Sequence, residues 1–331
     1  FSLCQMLTLG AVEAIAHHGS DALQRRFLAP MVEGRWTGTM NLTEPQAGSD
    51  LAALRSRAVH EGDHYHVSGN KIFITWGEHD MAENIVHIVL ARLPGAPEGT
   101  KGISLFIVPK RLPNEDGSAG ERNAVSCGSI EHKMGIHGNA TCVMNFDGAK
   151  GWLLGEEGRG MNNMFVVMNE ARLGTGLQGL AIGTAAYQAA VEFAKDRLQG
   201  RKASEKNPES PQVPIIDHAD VRRMLLAQKA YVEGAFDLGL YAARVFDDTE
   251  TLETEEQRKN ALELLDLLTP IVKAWPSDYC LKANELAIQI LGGHGYTREY
   301  PVEQFYRDNR LNPIHEGTNG IQSLDLLARK V

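Results

Sequence analysis

Glu316 stands directly ahead of Gly317 in the run His315 Glu316 Gly317 Thr318 Asn319 Gly320 Ile321 Gln322, where a helix is about to start. A carboxylate there is either a favourable charge at a helix N-terminus, roughly a few tenths of a kcal/mol, or a general base that removes a proton from a substrate. Residue type alone does not choose between them. A second cluster, Thr43 Glu44 Pro45 Gln46 Ala47 Gly48 Ser49 Asp50, offers hydroxyls and main-chain N–H groups freed by a tight turn, which suit a ligand's polar edge and equally an ordinary surface turn. In Leu291 Gly292 Gly293 His294 Gly295 Tyr296 the glycines permit left-handed backbone and close approach of a ligand, or simply cap a helix. Gly174 Thr175 Gly176 Leu177 Gln178 Gly179 has the spacing of a dinucleotide fingerprint. That fingerprint needs an apolar strand running into its first glycine, whereas Met168 Asn169 Glu170 Ala171 Arg172 Leu173 is polar and helix-compatible. Small residues at Gly174, Gly176, Gly179 and Gly183 suit a helix packed closely on a neighbour or a flat cofactor. Neighbouring histidines (His17 and His18, His64 and His66, His132 and His137) lack the ligand spacing of a zinc site, and no GxSxG elbow marks an acyl hydrolase.

These groups must be held by what lies between them. From Phe1 to about Gly34, apolar residues recur at helical spacing (Leu3, Met6, Leu7, Val12, Ile15, then Leu23, Phe27, Met31), with Gly19 and Ser20 dividing two short helices. From Trp36 to about Asp147 the pattern is strand-like: Trp36 to Leu42, His64 to Ser68, Lys71 to Trp76, Ile85 to Arg92, Gly102 to Val108 and Thr141 to Phe146. Turns such as Glu61 Gly62 Asp63 and Ser68 Gly69 Asn70 separate them, and the spacing predicts an antiparallel sheet or barrel. Helical periodicity returns over Met161 to Leu198, Asp217 to Asp248 and Glu255 to Leu291, and a last helix begins near Glu316. Pro270 and Pro276 predict a kink or break in the third, and Lys202 to Pro214 reads as a solvated loop. The order is helices over 1–35, strands over 36–150 and a helical bundle over 151–331, an α+β multidomain chain.

Size and charge exclude several functions. A length of 331 residues holds two or three domains, and 43% apolar with 23% charged residues is a globular balance. No stretch approaches the ~18 consecutive apolar residues of a membrane span. With 33 Lys and Arg against 42 Asp and Glu, the charge of −9 argues against broad nucleic-acid binding. Cys4, Cys127, Cys142 and Cys280 form no CxxC pair, so a reducing, cytoplasmic setting is expected.

Taken in order, Thr43 to Asp50, Lys71 Ile72 Phe73 Ile74 Thr75, Lys133 Met134 Gly135 Ile136 His137 Gly138, Gly292 Gly293 and Glu316 Gly317 Thr318 resemble the acyl-CoA dehydrogenase family. The likeness covers nearly the whole chain. The runs Gly292 to Gln304 and Glu316 to Gln322 are most similar to the branch that includes 3-methylthiopropanoyl-CoA dehydrogenases. The resemblance implies an N-terminal helical domain, a central antiparallel β-domain and a C-terminal four-helix bundle, with non-covalent FAD between the last two. It implies that Leu42 and Thr43 meet the flavin edge, that Phe73, Ile74 and Thr75 lie against the isoalloxazine, and that Thr318 also contacts the cofactor. Arg197 would reach the FAD pyrophosphate, and Gln289, Gly292 and Gly293 its adenosine half, across a subunit boundary. Ser49, Asn169, Arg172 and Gly317 would line the acyl-CoA site.

By the same resemblance, Glu316 removes the pro-R α-proton of an acyl-CoA thioester while the β-hydride goes to flavin N5, giving a trans-2-enoyl-CoA. Its backbone N–H and a flavin ribityl hydroxyl would form the oxyanion hole. Burial should raise the carboxyl's pKa toward the working range. Some members carry the base just before the arginine that matches Arg172, but Ala171 stands there and Glu170 points roughly 100° away around a helix. The substrate implied is a short or medium acyl-CoA, with an electron-transferring flavoprotein as partner and a homodimer or homotetramer as the assembly. A flavin oxidase, and a DNA-binding alkylation-response relative of the same fold, are the alternatives. Phe73 replaces a frequent Trp, His315 a frequent Tyr, Gly320 a frequent Gln and Asn169 a frequent Asp. An imidazolium at His315 would favour the ionised form of Glu316. The chain starts in mid-helix and stops soon after Glu316, so a fragment at both ends is expected.

Overall fold

A computed structural model of the chain describes residues 2–330, the side chain of Val166 excepted. It forms two compact units, Phe1–Lys133 with His137–Ala171, and Met134–Ile136 with Arg172–Val331. Among the described residues no helix is long and apolar enough to cross a membrane.

The first unit opens with helices α1 (Ser2–His18) and α2 (Asp21–Val32), divided where Ser20 caps the second by accepting a hydrogen bond from the Leu23 N–H at 3.4 Å. Among the described residues nine strands follow: β1 (Trp36–Asn41), β2 (Arg57–Glu61), β3 (His64–Thr75), β4 (Asn84–Arg92), β5 (Ile103–Pro109), β6 (Arg111–Pro113), β7 (Ala119–Arg122), β8 (Val125–Ile130) and β9 (Thr141–Leu153). The main sheet runs β1-β4-β2-β3-β9-β5, and β5 pairs back onto β4, so the five strands after β1 close on themselves. Pairing is mostly antiparallel, but β4 lies parallel to β1 and, through Arg57 and Arg92, to β2. Period-2 alternation divides two cores. Ile88 and Leu90 of β4 pack with Phe27, Trp36 and Leu105 under the helices. Val89 and Ala91 face the barrel interior with Phe106, Cys142 and Phe146. Both faces being covered explains why β4 reads as an almost unbroken apolar run.

The expected turn at Ser68 Gly69 Asn70 is absent, and β3 passes straight through it. Gly69 has φ +142° and a Cβ there would come within 2.9 Å of the Ser56 Cα. Its glycine marks a close backbone approach inside a strand.

In the second unit, α3 (Gly160–Asp196) contributes its portion from Arg172 onward, joined by α4 (Ala219–Thr251), α5 (Glu255–Leu291), α6 (Val302–Asn309) and α7 (Asn319–Asp325). The spacing of the glycine-rich stretch on α3 proves to be packing. A Cβ on Gly176 would overlap the Val272 carbonyl oxygen of α5, and one on Gly183 would lie 2.7 Å from the Cys280 Cβ. The break expected at Pro270 and Pro276 does not occur, since α5 is one helix with both inside it. Each proline leaves a carbonyl four residues earlier without its helical donor. The Asp266 carbonyl accepts from Lys330 Nζ at 2.6 Å, and the Val272 carbonyl is the one that rests on Gly176.

Candidate functional site

Glu316 enters α7 through two successive left-handed residues, φ +54° at Glu316 and +81° at Gly317. Glycine adopts this geometry freely, whereas glutamate in it is strained by about 1–3 kcal/mol and stays only when its surroundings enforce it. The enforcing contacts are specific. Gln322 of α7 donates through Nε2 to the Glu316 carbonyl at 3.0 Å. Lys273, fully buried on α5, donates through Nζ to the Gly317 carbonyl at 2.7 Å and to Asn319 Oδ1 at 3.0 Å. Thr318 caps α7, its hydroxyl accepting from the Ile321 N–H at 3.3 Å.

The carboxyl of Glu316 takes no hydrogen bond among the described residues, and its own backbone N–H has no acceptor there. Burial pushes its pKa up to about 7, opposed by the positive charges of Arg172 and Lys273. Arg172, 3% exposed on α3, bonds through Nη1 to Asp325 Oδ2 of α7 at 3.2 Å. Burial lowers Lys273 to about 8 although Glu316 and Asp278 pull the other way. The site is thus a partly buried carboxylate whose oxygens are free, flanked by two cations that are each fastened elsewhere. Such a group near its midpoint at neutral pH is suited to accept a proton.

His315 does not supply a third positive charge. Burial drops its pKa to about 3, so it is a neutral imidazole, and the expected favouring of ionised Glu316 by an imidazolium fails. A buried amide chain also fixes its proton: Asn312 Nδ2 donates to Asn309 Oδ1 at 2.8 Å, which leaves Asn312 Oδ1 to accept from His315 Nε2 at 3.0 Å. Asn309 in turn donates to Asn284 Oδ1 on α5 at 2.5 Å.

In the first unit, the Thr43 to Asp50 turn is anchored by a buried ion pair. Glu44 Oε1 meets Lys71 Nζ at 2.8 Å and the Ser56 N–H at 3.0 Å, and Oε2 meets the Arg55 N–H at 2.7 Å. Burial opposes ionisation of Glu44, but Lys71 and these donors hold the carboxyl down at about 2. Lys71 also donates to the Leu42 carbonyl at 3.0 Å, and the Ile72 N–H donates to the Thr43 carbonyl at 2.9 Å. The 42–43 main chain is thereby fixed beside the strand of Phe73 to Thr75. A β-bulge lies between Lys71 and Ile74, and within it Phe73 takes φ +60° and stands 60% exposed. Bulges re-aim a side chain out of the pleat, and here the Phe73 ring is turned to the surface. Ile74 instead turns its side chain into the barrel core, so only its main chain is available to a ligand. Thr75 is half-buried and Ser49 is exposed.

Two comparisons identify the chain. A model of the acyl-CoA dehydrogenase C-terminal domain matches residues 158–331, and one of the acyl-CoA dehydrogenase middle domain matches residues 39–149. The chain belongs to the acyl-CoA dehydrogenase family. Among curated relatives, a 3-methylmercaptopropionyl-CoA dehydrogenase of Ruegeria pomeroyi is 48% identical over 100% of this chain and 56% of its own length. A butyryl-CoA dehydrogenase of Syntrophomonas wolfei is 43% identical over 98% of this chain and 54% of its own. The chain therefore spans about half the length of these relatives. The solved butyryl-CoA dehydrogenase of Megasphaera elsdenii aligns with a TM-score of 0.80 at 30% identity, covering 98% of this chain and 76% of that one.

Within this member of the family, the second unit brings Glu316, Gly317, Thr318 and Arg172 together. The residues expected at the pyrophosphate (Arg197) and at the adenosine half (Gln289, Gly292 and Gly293) also belong to the second unit. Phe193, one helical turn before Arg197, packs its ring on His294 at 5.7 Å, beside Gly292 and Gly293. Arg197, Gln289, Gly292 and Gly293 are exposed, Gly292 has φ +60°, and nothing lies within 4 Å of a Cβ built on it. Asn169 falls in the first unit, as does Glu170. Glu170 also has its pKa pushed up to about 7, by burial and by Glu13, yet its Oε2 points toward Gly10 of α1 and has no hydrogen-bond partner among the described residues. Sequence reasoning missed Lys273, Gln322, Asp325, Glu44 and Lys71. The available signal was a Lys or Glu at a core-facing position of a helix or strand, visible only once burial is known.

Proposed function

We propose that this chain is the catalytic part of a FAD-dependent acyl-CoA dehydrogenase that oxidises a short or medium acyl-CoA to the trans-2-enoyl-CoA, with 3-methylthiopropanoyl-CoA as the first candidate substrate. The observation that carries the proposal is Glu316: a carboxyl with unengaged oxygens, a pKa of about 7 and an enforced left-handed backbone. The relative from Ruegeria pomeroyi, named for the same acyl group, supports the substrate.

In this reading Glu316 removes the α-proton, which ends on a carboxyl oxygen. Its backbone N–H donates to the thioester oxygen, where negative charge develops. Arg172 and Gly317 act at the acyl thioester, and Ser49 and Asn169 are the residues assigned to the CoA arm. The residues expected around FAD suit a flat, polar-edged group: exposed Phe73 and half-buried Thr75 on the bulged strand, the fixed main chain of Leu42 and Thr43, and exposed Arg197, Gln289, Gly292 and Gly293 for the phosphate and adenosine portions. When bound, FAD would supply the acceptor for the β-hydride. The proposal extends to a helical end at 1–35, a β-domain at 36–150 and a bundle at 151–331, to a homodimer or homotetramer in the cytoplasm, and to an electron-transferring flavoprotein as electron acceptor.

The test is the visible spectrum of the purified protein during anaerobic titration with a panel of acyl-CoAs. The flavin band should bleach with butanoyl- or methylthiopropanoyl-CoA, and acid precipitation should release the colour to the supernatant. A protein that takes up no FAD, or a flavin that no acyl-CoA reduces, overturns the assignment.

A further inference from the structure

Lys273 is an unusual lysine. It sits in the middle of α5 with no exposed surface, and its ammonium is spent on two acceptors of one short segment, the Gly317 carbonyl at 2.7 Å and Asn319 Oδ1 at 3.0 Å. Asn319 is itself held from the other side, donating through Nδ2 to Asp278 Oδ1 at 2.8 Å. A buried ammonium is kept only where its hydrogen bonds and nearby opposite charge offset its desolvation. Two carboxylates act on this ammonium, Glu316 more strongly than Asp278, whereas Asp325 is taken by Arg172, Arg329 and Lys330.

From this arrangement we infer that Lys273 is a positioning residue for proton abstraction: it clamps the Gly317–Asn319 segment that aims Glu316 and supplies the positive field in which the carboxylate forms. The inference rests on the proposed role of Glu316 and adds a residue that works through it. The groups facing the pair are Arg172 from α3, Asp278 from α5, Asp325 and Arg329 from the α7 end of the chain, and the neutral His315 from the preceding loop. Of these, only Arg172 and Lys273 act directly to favour ionised Glu316. Removing the lysine charge should therefore leave Glu316 harder to ionise, and keeping a charge at 273 should preserve its titration even where the clamp is disturbed.

The direct experiment titrates the glutamate carboxyl carbons of the full chain by ¹³C NMR without any acyl-CoA, with the Glu316 signal assigned by its loss in Glu316→Gln. The parent midpoint is expected near 7. Lys273→Met should raise it by about one pH unit, a tenfold change in the ionisation equilibrium, and Lys273→Arg should leave it within a few tenths of the parent. Asn319→Ala, which removes one clamp acceptor and no charge, should leave the midpoint in place while slowing anaerobic flavin reduction. An unchanged midpoint in Lys273→Met overturns the inference, as does a midpoint in Lys273→Arg displaced as far as in Lys273→Met. Should Lys273→Met not fold, the Arg and Ala variants decide: a displaced midpoint in Asn319→Ala, or full reduction rates in it, refutes the clamp. Because the titration needs no substrate, its outcome is separate from failure of acyl-CoA to reduce the flavin, which would count against the proposed function instead.

Discussion

Replacing Glu316 by Gln is expected to give a poorer catalyst and a more stable protein. The ordinary value of this carboxyl is 4.5, and folding raises it to about 7 because burial opposes ionisation more strongly than Arg172 and Lys273 favour it. A rise of roughly 2.5 pH units at ~1.36 kcal/mol each amounts to about 3 kcal/mol. The folded chain binds the proton more tightly than the unfolded one, so the contribution is fully present below 4.5 and is lost as pH rises through 7. At pH 8 the parent bears nearly the whole penalty of holding a charge there, and the amide bears none. Glu316→Gln should then be more stable by about 3 kcal/mol at pH 8, shrinking to about 1 kcal/mol at pH 5. For a unit of this size, the pH 8 gain is roughly 5–10 °C in melting temperature. At the same pH, loss of the general base should slow α-proton removal by ~10²–10⁴. Calorimetry at the two pH values and anaerobic stopped-flow bleaching of the flavin read the two effects. A variant that melts no higher at pH 8, or whose stability gain grows toward pH 5, refutes the picture of a carboxylate ionised against its surroundings. Unimpaired bleaching refutes its role as the base.

Other substitutions probe the scaffold. Glu44→Ala strands the Lys71 ammonium and the N–H groups of Arg55 and Ser56, and should destabilise the first unit by about 3–5 kcal/mol in urea titration. Gly176→Ala places a methyl against the Val272 carbonyl oxygen and should cost about 1–3 kcal/mol of stability in the second unit, seen as a lowered denaturation midpoint. Glu170→Gln should leave flavin bleaching within about tenfold of the parent, a barrier change of ~1.4 kcal/mol; a larger loss in stopped flow would move the base onto α3.

What the sequence made legible was periodic. Strand-like runs located β1, β3, β4, β5 and β9 but not β2, β6, β7 or β8, and the 3.6-residue pattern located α3, α4 and α5, because a buried face must repeat with its element. Ordered motifs then singled out Glu316, Arg172 and the Phe73 strand. What escaped were features that depend on what arrives from elsewhere in the chain. Gly69 looked like a turn because the approach of Ser56 is not written next to it. Pro270 and Pro276 looked like a break because the Lys330 and Gly176 partners of the freed carbonyls lie far away in sequence. Nothing next to Lys71 or Lys273 in the chain announces that either is buried, for the same reason. His315 was expected to carry charge, and only its burial on Asn312 shows that it does not.

The two cations beside Glu316 bear on how much the surroundings must rearrange during reaction. In the proposed chemistry one negative charge leaves the carboxylate as its proton arrives and reappears on the thioester oxygen at the Glu316 N–H. Charge thus migrates a short way inside a field that is already set, because Arg172 is tied to Asp325 and Lys273 to the Gly317 carbonyl and Asn319. Neither side chain has to swing to follow it. In bulk water the same migration would drag a reoriented hydration shell with it, whereas here the dipoles and the two cations are aligned before the substrate enters. Reorganisation within the pocket is correspondingly small, and since both charges lie inside the protein, dissolved salt has little hold on this step.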